Sequence, residues 1–153
     1  MKPNALVVHK PENIKIENDK GLGQTITVKP EELINTAIYI RNIGYDWFMF
    51  ATGVDMGEHI ELLYRVSASE GGSGVNGSVI IKTQVSKVEP VVDSLVPIWP
   101  AANWHEREVF DLLGVKFMGH PNMRRIFMPD DWDGYPLRKD YDDPRMKRRP
   151  QYF

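Results

Sequence analysis

The chain has 153 residues, of which 42% are hydrophobic, enough for one core and one domain and too apolar for a disordered segment. It contains no cysteine, which excludes disulfides, a thiol nucleophile and thiolate-held zinc or iron–sulfur clusters. A formal net charge of −2 supplies no overall positive field to draw it to nucleic acid or anionic lipid.

No apolar run reaches the roughly eighteen residues of a membrane span, and the opening Met1-Lys2-Pro3-Asn4 lacks the apolar stretch of a signal peptide. The expected location is therefore the cytoplasm. Thr25 to Val28 forms a candidate short strand. Lys29-Pro30-Glu31-Glu32 opens a helix, because proline is tolerated in the first turn and acids there suit the helix dipole. Leu33, Ala37, Ile38 and Ile40 give that helix an apolar face, and Gly44 is a natural stop.

Three strands follow. Asp46–Thr52 carries Trp47, Phe48, Met49 and Phe50. Ile60, Leu62, Tyr64 and Val66 alternate with Glu61, Leu63, Arg65 and Ser67, and Val79, Ile81, Thr83 and Val85 repeat the pattern. Period two marks sheet with one face more exposed. The last two strands form an antiparallel hairpin around Gly71–Gly77, a loop longer than the common two to five residues. Residues 88–97 read as a short helix. Asn103 is a candidate N-cap with Glu106 as its capping-box partner, and the helix it opens should end at Gly114.

Beyond Gly114, glycine and proline recur too often for regular structure. This extended segment nevertheless holds Phe117, Met118, Ile126, Phe127, Met128, Trp132, Tyr135, Leu137 and Tyr141, side chains that need cover from this domain or another subunit. The predicted class is α+β: a small two-layer domain with a mainly antiparallel sheet packed against helices, then an extended C-terminal segment. Three parts are expected: an α/β core domain with a short N-terminal extension over 1–103, a signature helix with extended docking segment over 104–141, and a basic tail over 142–153.

Little of this resembles a self-sufficient active site. Gly71–Gly77 has neither GxxxxGK[ST] nor GxGxxG and joins strands, so it reads as a connector. His9, His59, His105 and His120 form no HExxH, and His120 reads as a hydrogen-bonding residue of a turn. Arg107 faces Asp111 at i,i+4. No nucleophile–base–orienter chain accompanies Glu106, Glu108 and Asp111. At about 100° per residue, Glu106 falls beside Val109, Phe110 and Leu113. A carboxylate on an apolar face must find a partner, and Arg124, Arg125 and Arg138 are the candidates. The expectation is a buried Glu106–arginine pair that pins the tail to the helix.

From Trp104 to Tyr141 seven acids and six bases are interspersed with aromatic anchors, which suits a protein–protein surface. Two other classes compete. A free-standing enzyme would need a pocket near His105 or His120. A nucleic-acid or lipid adaptor would use the basic run within Arg145–Arg149, which stands opposite a plain solvated tail.

Glu106-Arg107-Glu108, Asp111-Leu112-Leu113-Gly114, Phe117, Gly119-His120-Pro121, Arg124-Arg125-Ile126, Pro129-Asp130-Asp131-Trp132, Gly134-Tyr135 and Pro136-Leu137-Arg138-Lys139-Asp140-Tyr141 together resemble the signature of the 30-kDa subunit of respiratory complex I, also called the C subunit of NADH–quinone oxidoreductase. The preceding Pro97–Trp104 resembles it too. The resemblance implies a non-redox accessory subunit of the peripheral arm, on the cytoplasmic side of the cell membrane. It implies no cofactor in this chain, with iron–sulfur clusters, quinone and FMN or NADH held by partner subunits. The implied partners are the 49-kDa-type protein of the quinone module and neighbouring iron–sulfur subunits, with the membrane arm reached indirectly and no nucleic acid. It implies structural and interface roles, and no catalytic one, for Glu106, Arg107, Asp111, His120, Arg124, Arg125, Arg138 and Asp140. Phe127 departs from the smaller aliphatic residue or methionine of that pattern, and many complex I versions are longer. Equivalent subunits of group 4 membrane-bound hydrogenases, of F420H2 dehydrogenase and of the ferredoxin-using photosynthetic complex are therefore alternatives.

Overall fold

The computed structural model describes residues 15–19, 23–69 and 77–144. Five strands form one sheet: β1 (Lys15–Asp19), β2 (Gly23–Thr27), β3 (Trp47–Asp55), β4 (His59–Ser67) and β5 (Ser78–Ser86), in the order β1-β2-β5-β4-β3. Helix α1 (Leu33–Asn42) follows a 3₁₀ turn at Pro30–Glu32. A second, two-stranded parallel sheet joins β6 (Val91–Asp93) to β7 (Lys116–Met118), and helix α2 (Ala102–Leu113) lies between them in sequence. The two-layer α+β class expected from the patterning is the one observed.

The alternating strands turn as their pattern dictates. Ile60, Leu62, Tyr64 and Val66 are buried, as are Val79, Ile81, Thr83 and Val85, and β4 pairs antiparallel with both β3 and β5. β2 runs parallel to β5, and β1 closes antiparallel on β2, so the sheet is mixed. A register shift between Phe48 and Phe50 puts a bulge in β3, an edge strand, where bulges commonly blunt the unpaired edge. Leu33, Ala37 and Ile40 of α1 and Val109 and Leu113 of α2 join the strands' inward side chains in a single core. Gly53 of β3 is where α2 comes close: a Cβ there would stand 2.6 Å from Leu113 Cδ1.

Two expected local features are replaced. Residues 88–97 are not a helix. Val91 and Val92 are β-branched and favour the strand β6, whose Val92 pairs with Phe117, and a tight turn closes through Ile98 N–H to Leu95 O at 2.9 Å. Asn103 does not cap α2 either. The helix begins two residues earlier than that cap implies, at Ala102 with Ala101 as its N-cap and no side-chain cap, and Glu106 is engaged in the core and does not reach back. The stop at Gly114 holds: it adopts φ +78° and its N–H reaches Phe110 O at 2.8 Å. After β7, turns and extended backbone carry the described chain to Pro144. Most of the glycine-rich loop and the basic run Arg145–Arg149 lie outside the described residues.

Candidate docking interface

The C-terminal segment has no regular hydrogen bonding of its own, so its path is set by what it grips on α2 and β3. Asp111 is the centre of that grip. It is fully buried on α2, and its Oδ2 accepts the backbone N–H groups of Ile126 (2.9 Å), Phe127 (2.7 Å) and Met128 (3.1 Å). Its Oδ1 takes Arg125 Nη1 at 2.8 Å. Burial alone would raise this carboxyl. The donated Phe127 amide, the Arg125 guanidinium and the Ile126 and Met128 amides outweigh it and hold the group below the ordinary aspartate value.

Arg125 spreads the contact further. Nη1 also donates to Asp111 O at 2.9 Å, while Nη2 donates to Trp132 O at 3.0 Å and Gly134 O at 3.1 Å. One planar guanidinium thus joins the helix to two later points of the tail, a geometry an ammonium cannot copy. Arg107 makes a parallel connection one turn earlier. It is buried, donates to Arg124 O (3.2 Å) and Arg125 O (3.4 Å), and stacks 4.7 Å from the Trp104 ring centroid. The expected i,i+4 pairing of Arg107 with Asp111 gives way to these tail contacts. Arg124 contributes its carbonyl here, and its residue is exposed.

At the end of α2, Arg138 Nε donates to Leu113 O at 2.7 Å and Leu137 N–H to Leu112 O at 3.0 Å. The Tyr135 ring lies beneath two guanidiniums, Arg138 at 4.8 Å and Arg125 at 5.4 Å. It also lies on Gly114, where a Cβ would meet the ring at 2.5 Å. Gly114 therefore serves twice, as the left-handed helix stop and as the floor for Tyr135.

A last attachment reaches the sheet. Asp55, buried at the end of β3, accepts Gly57 N–H (2.7 Å), Lys139 N–H (2.8 Å) and Lys87 Nζ (2.7 Å), and Lys87 also meets Asp140 at 2.9 Å. Burial works to raise Asp55, but Lys87 and the Lys139 and Gly57 amides hold it far below the usual range. Asp140 is lowered by Lys87, which is itself raised by its two carboxylate partners. Sequence reasoning misses both Asp55 and Lys87. The turn signature Asp55-Met56-Gly57 is a signal that could find the first; Lys87 carries none comparable.

His120 sits in its turn with Nδ1 accepting Asn122 N–H at 3.0 Å and Nε2 3.2 Å from Asn103 O, which assigns the neutral, Nε2-protonated ring. Burial lowers its proton affinity, the Asn103 carbonyl partly restoring it. Both ring nitrogens thus serve backbone groups.

Glu106 is the principal correction. It is fully buried, as its helix face dictates, but none of the three arginines pairs with it. Its Oε2 accepts Ser94 Oγ–H at 2.6 Å and its Oε1 accepts Leu95 N–H at 2.7 Å, which fastens α2 to the turn after β6. Arg125 is drawn off by Asp111 and by carbonyls of the helix and tail, Arg138 by Leu113 O, and Arg124 is exposed. Burial pushes the Glu106 carboxyl up to about 7, against the lowering effect of Ser94 and Leu95.

The segment so held still shows apolar side chains to solvent. Phe127 is 63% exposed, Leu137 57% and Trp104 64%. Phe117 is buried, and Trp132, Tyr135 and Tyr141 are partly covered by the chain itself. Among the described residues no group of three or more His, Asp or Glu is placed to hold a metal ion, and no helix is long and apolar enough to cross a membrane.

Known proteins match along most of this chain. The family described as respiratory-chain NADH dehydrogenase, 30 Kd subunit, matches residues 26–147. The NADH-quinone oxidoreductase C subunit of Chloroherpeton thalassium is 44% identical over 98 residues, which is 63% of this chain and 40% of that one. Its counterpart in Roseiflexus castenholzii is 38% identical over 122 residues, covering 76% of this chain and 68% of the relative. The chain thus spans less than half the length of the first of these relatives. Among solved structures, a trypsin-resistant fragment of Nqo5 superposes with a TM-score of 0.65 at 24% identity, over 71% of this chain and 89% of that one. A chain of the membrane-bound sulfane sulfur reductase, an archaeal respiratory membrane complex, gives 0.73 at 22% identity, over 92% and 91%. At these identities the two structures speak for the fold. The extent of the family match and the identity to the Roseiflexus relative go further: the chain belongs to the family of the 30-kDa subunit of respiratory-chain NADH dehydrogenase.

Proposed function

We propose that this chain is a non-redox structural subunit in the peripheral arm of a complex I-like, membrane-associated oxidoreductase. In this reading it packs on the 49-kDa-type subunit of the quinone module and beside iron–sulfur subunits, at the cytoplasmic side of the membrane. It supports electron transfer to quinone coupled to ion translocation without handling an electron itself. Residues 1–103, a core domain with a short N-terminal extension, carry the docking segment 104–141, whose Val109 and Leu113 also fill the core. The iron–sulfur clusters, quinone and any FMN belong to its partners.

One observation carries the reading. The chain anchors its C-terminal segment with a fully buried carboxylate and three guanidiniums, yet leaves Phe127 and Leu137 of that segment largely in solvent. A segment held that firmly is preorganised, and its exposed apolar groups need a partner to bury them. An equivalent place in a membrane-bound hydrogenase, in F420H2 dehydrogenase or in a sulfur-reducing respiratory complex would use the same surface, and the fold likeness to the sulfane sulfur reductase chain supports keeping that second reading.

Co-purification from detergent-solubilised membranes, with the partners identified by mass spectrometry, tests both. A 49-kDa-type quinone-module subunit with NADH-oxidising subunits is expected. Hydrogenase, F420-dependent or sulfur-reducing partners would select the second reading, and recovery of the chain alone would overturn both.

A further inference from the structure

The docking contacts use one of the two fully buried acids of α2, Asp111, and leave the other, Glu106, aside. Glu106 has no exposed surface, and among the described residues its hydrogen-bond donors are Ser94 and Leu95 alone. Each carboxylate oxygen thus accepts one hydrogen bond, from Ser94 on Oε2 and Leu95 on Oε1. The elements around it bring no cation. β4 presents the Tyr64 phenol, fully buried and without a hydrogen-bond partner.

The charged groups nearby are committed elsewhere. On α2, Arg107 is turned to the tail and Asp111 is paired with Arg125, while the half-buried His105 packs 5.7 Å from the Phe48 ring. His120 reaches Asn103 at the start of α2, Asp55 of β3 is paired with Lys87, and Asp93 beside Ser94 is exposed. An ionised carboxylate with no cation beside it is costly in such a place, and protonation removes that cost.

We propose that Glu106 is a proton-linked seat for α2: its carboxyl takes up a proton as the helix settles on the sheet, and releasing that proton leaves a buried charge that only the Ser94 and Leu95 donors offset, which weakens the seating of the helix. The same helix holds the tail through Arg107, Asp111, Leu112 and Leu113, so the proton on Glu106 sets how firmly the base of the docking segment is seated. This does not depend on which complex the chain joins. The direction is supported by burial, which raises Glu106 to about 7 and, together with the Glu106 charge, pushes the Tyr64 phenol well above its usual value.

A group that binds its proton more tightly in the folded state contributes stability below its unfolded value that is lost as pH rises through its folded value. Urea unfolding of the full chain from pH 4.5 to 8, wild type against Glu106→Gln, reads this difference. The glutamine keeps a carbonyl oxygen for Leu95 N–H, can donate its amide N–H to Ser94 Oγ and does not titrate, and effects of His120 are common to both proteins. Relative to the variant, the wild-type folding constant should fall up to tenfold per pH unit between about 4.5 and 7 and level off above, about 300-fold in total. Parallel profiles would overturn the proposal.

Infrared spectroscopy of the wild type gives a second readout that needs no stable glutamine variant. A protonated-carboxyl band that titrates near neutrality and moves to higher pH in Ser94→Ala supports the seat. Loss of every such band by pH 5 would overturn it.

Discussion

Asp111 and Arg125, fourteen residues apart, meet at 2.8 Å with the aspartate side chain wholly out of solvent, and between them they fix several later points of the chain. Three backbone amides converge on Asp111 Oδ2, and two carbonyls from Trp132 and Gly134 converge on Arg125 Nη2. Asp111→Ala should therefore cost about 3–5 kcal/mol, because it strands a guanidinium and three amides at once. Asp111→Asn should cost less, since its amide oxygen still accepts. Urea unfolding checks the order, and trypsin should cut after Arg124 or Arg125 faster in the alanine variant.

Arg125→Lys should destabilise by about 1–3 kcal/mol although it keeps the charge. A lysine can meet Asp111 but cannot also span to Trp132 O and Gly134 O, so carbonyls are left unpaired. Equal stability of the two proteins in urea would show that the charge, and not the fork, is what matters.

Gly114→Ala should cost about 1–3 kcal/mol, because the position has φ +78° and the new Cβ would collide with the Tyr135 ring. Combined with Tyr135→Ala the collision disappears and only the backbone strain stays, so the double variant should fall short of the sum of the two singles. Additive losses would rule out the contact.

Acid should unfold the protein in two distinguishable ways. Asp55 and Asp111 lie below their ordinary values, so the stability they give is complete above about pH 4 and is lost as pH falls through their folded values. His120 is lowered, which favours its neutral ring, so its contribution is complete above about 6.5 and declines as pH falls through its lower folded value. Glu106 acts in the opposite sense, losing stability as pH rises through about 7. Asp55→Asn should therefore blunt the loss below pH 4 while leaving the change near neutrality intact, as read by unfolding at a series of pH values.

The sheet is legible in the sequence because burial writes period two directly into β4 and β5, and the end of α2 because only glycine sits easily at φ +78°. The burial of Glu106 is legible for the same kind of reason, a helix face. Its partner is not: Ser94 lies twelve residues upstream, and the second donor is the backbone amide of Leu95, which no side-chain pattern reveals. The i,i+4 reading of Arg107 with Asp111 fails because spacing counts only local neighbours. Three amides and a forked guanidinium from the tail out-compete one arginine on the same helix. The parallel pairing of β2 with β5 depends on chain crossings that composition does not encode. The aromatic residues of the tail need cover from somewhere, and the structure divides them, tucking Tyr135 under Arg125 and Arg138 while leaving Phe127 outside.

The most direct test of a docking role is the amount of 49-kDa-type subunit recovered with a tagged chain carrying Phe127→Asp and Leu137→Asp, relative to wild type. Both side chains are exposed, so the fold should survive, with an unchanged urea midpoint for the isolated chain. Recovery of the partner should drop at least tenfold, since two apolar contacts would be replaced by desolvated charges. Undiminished recovery with an intact fold would contradict the account, because the anchored segment would then present no surface the partner needs.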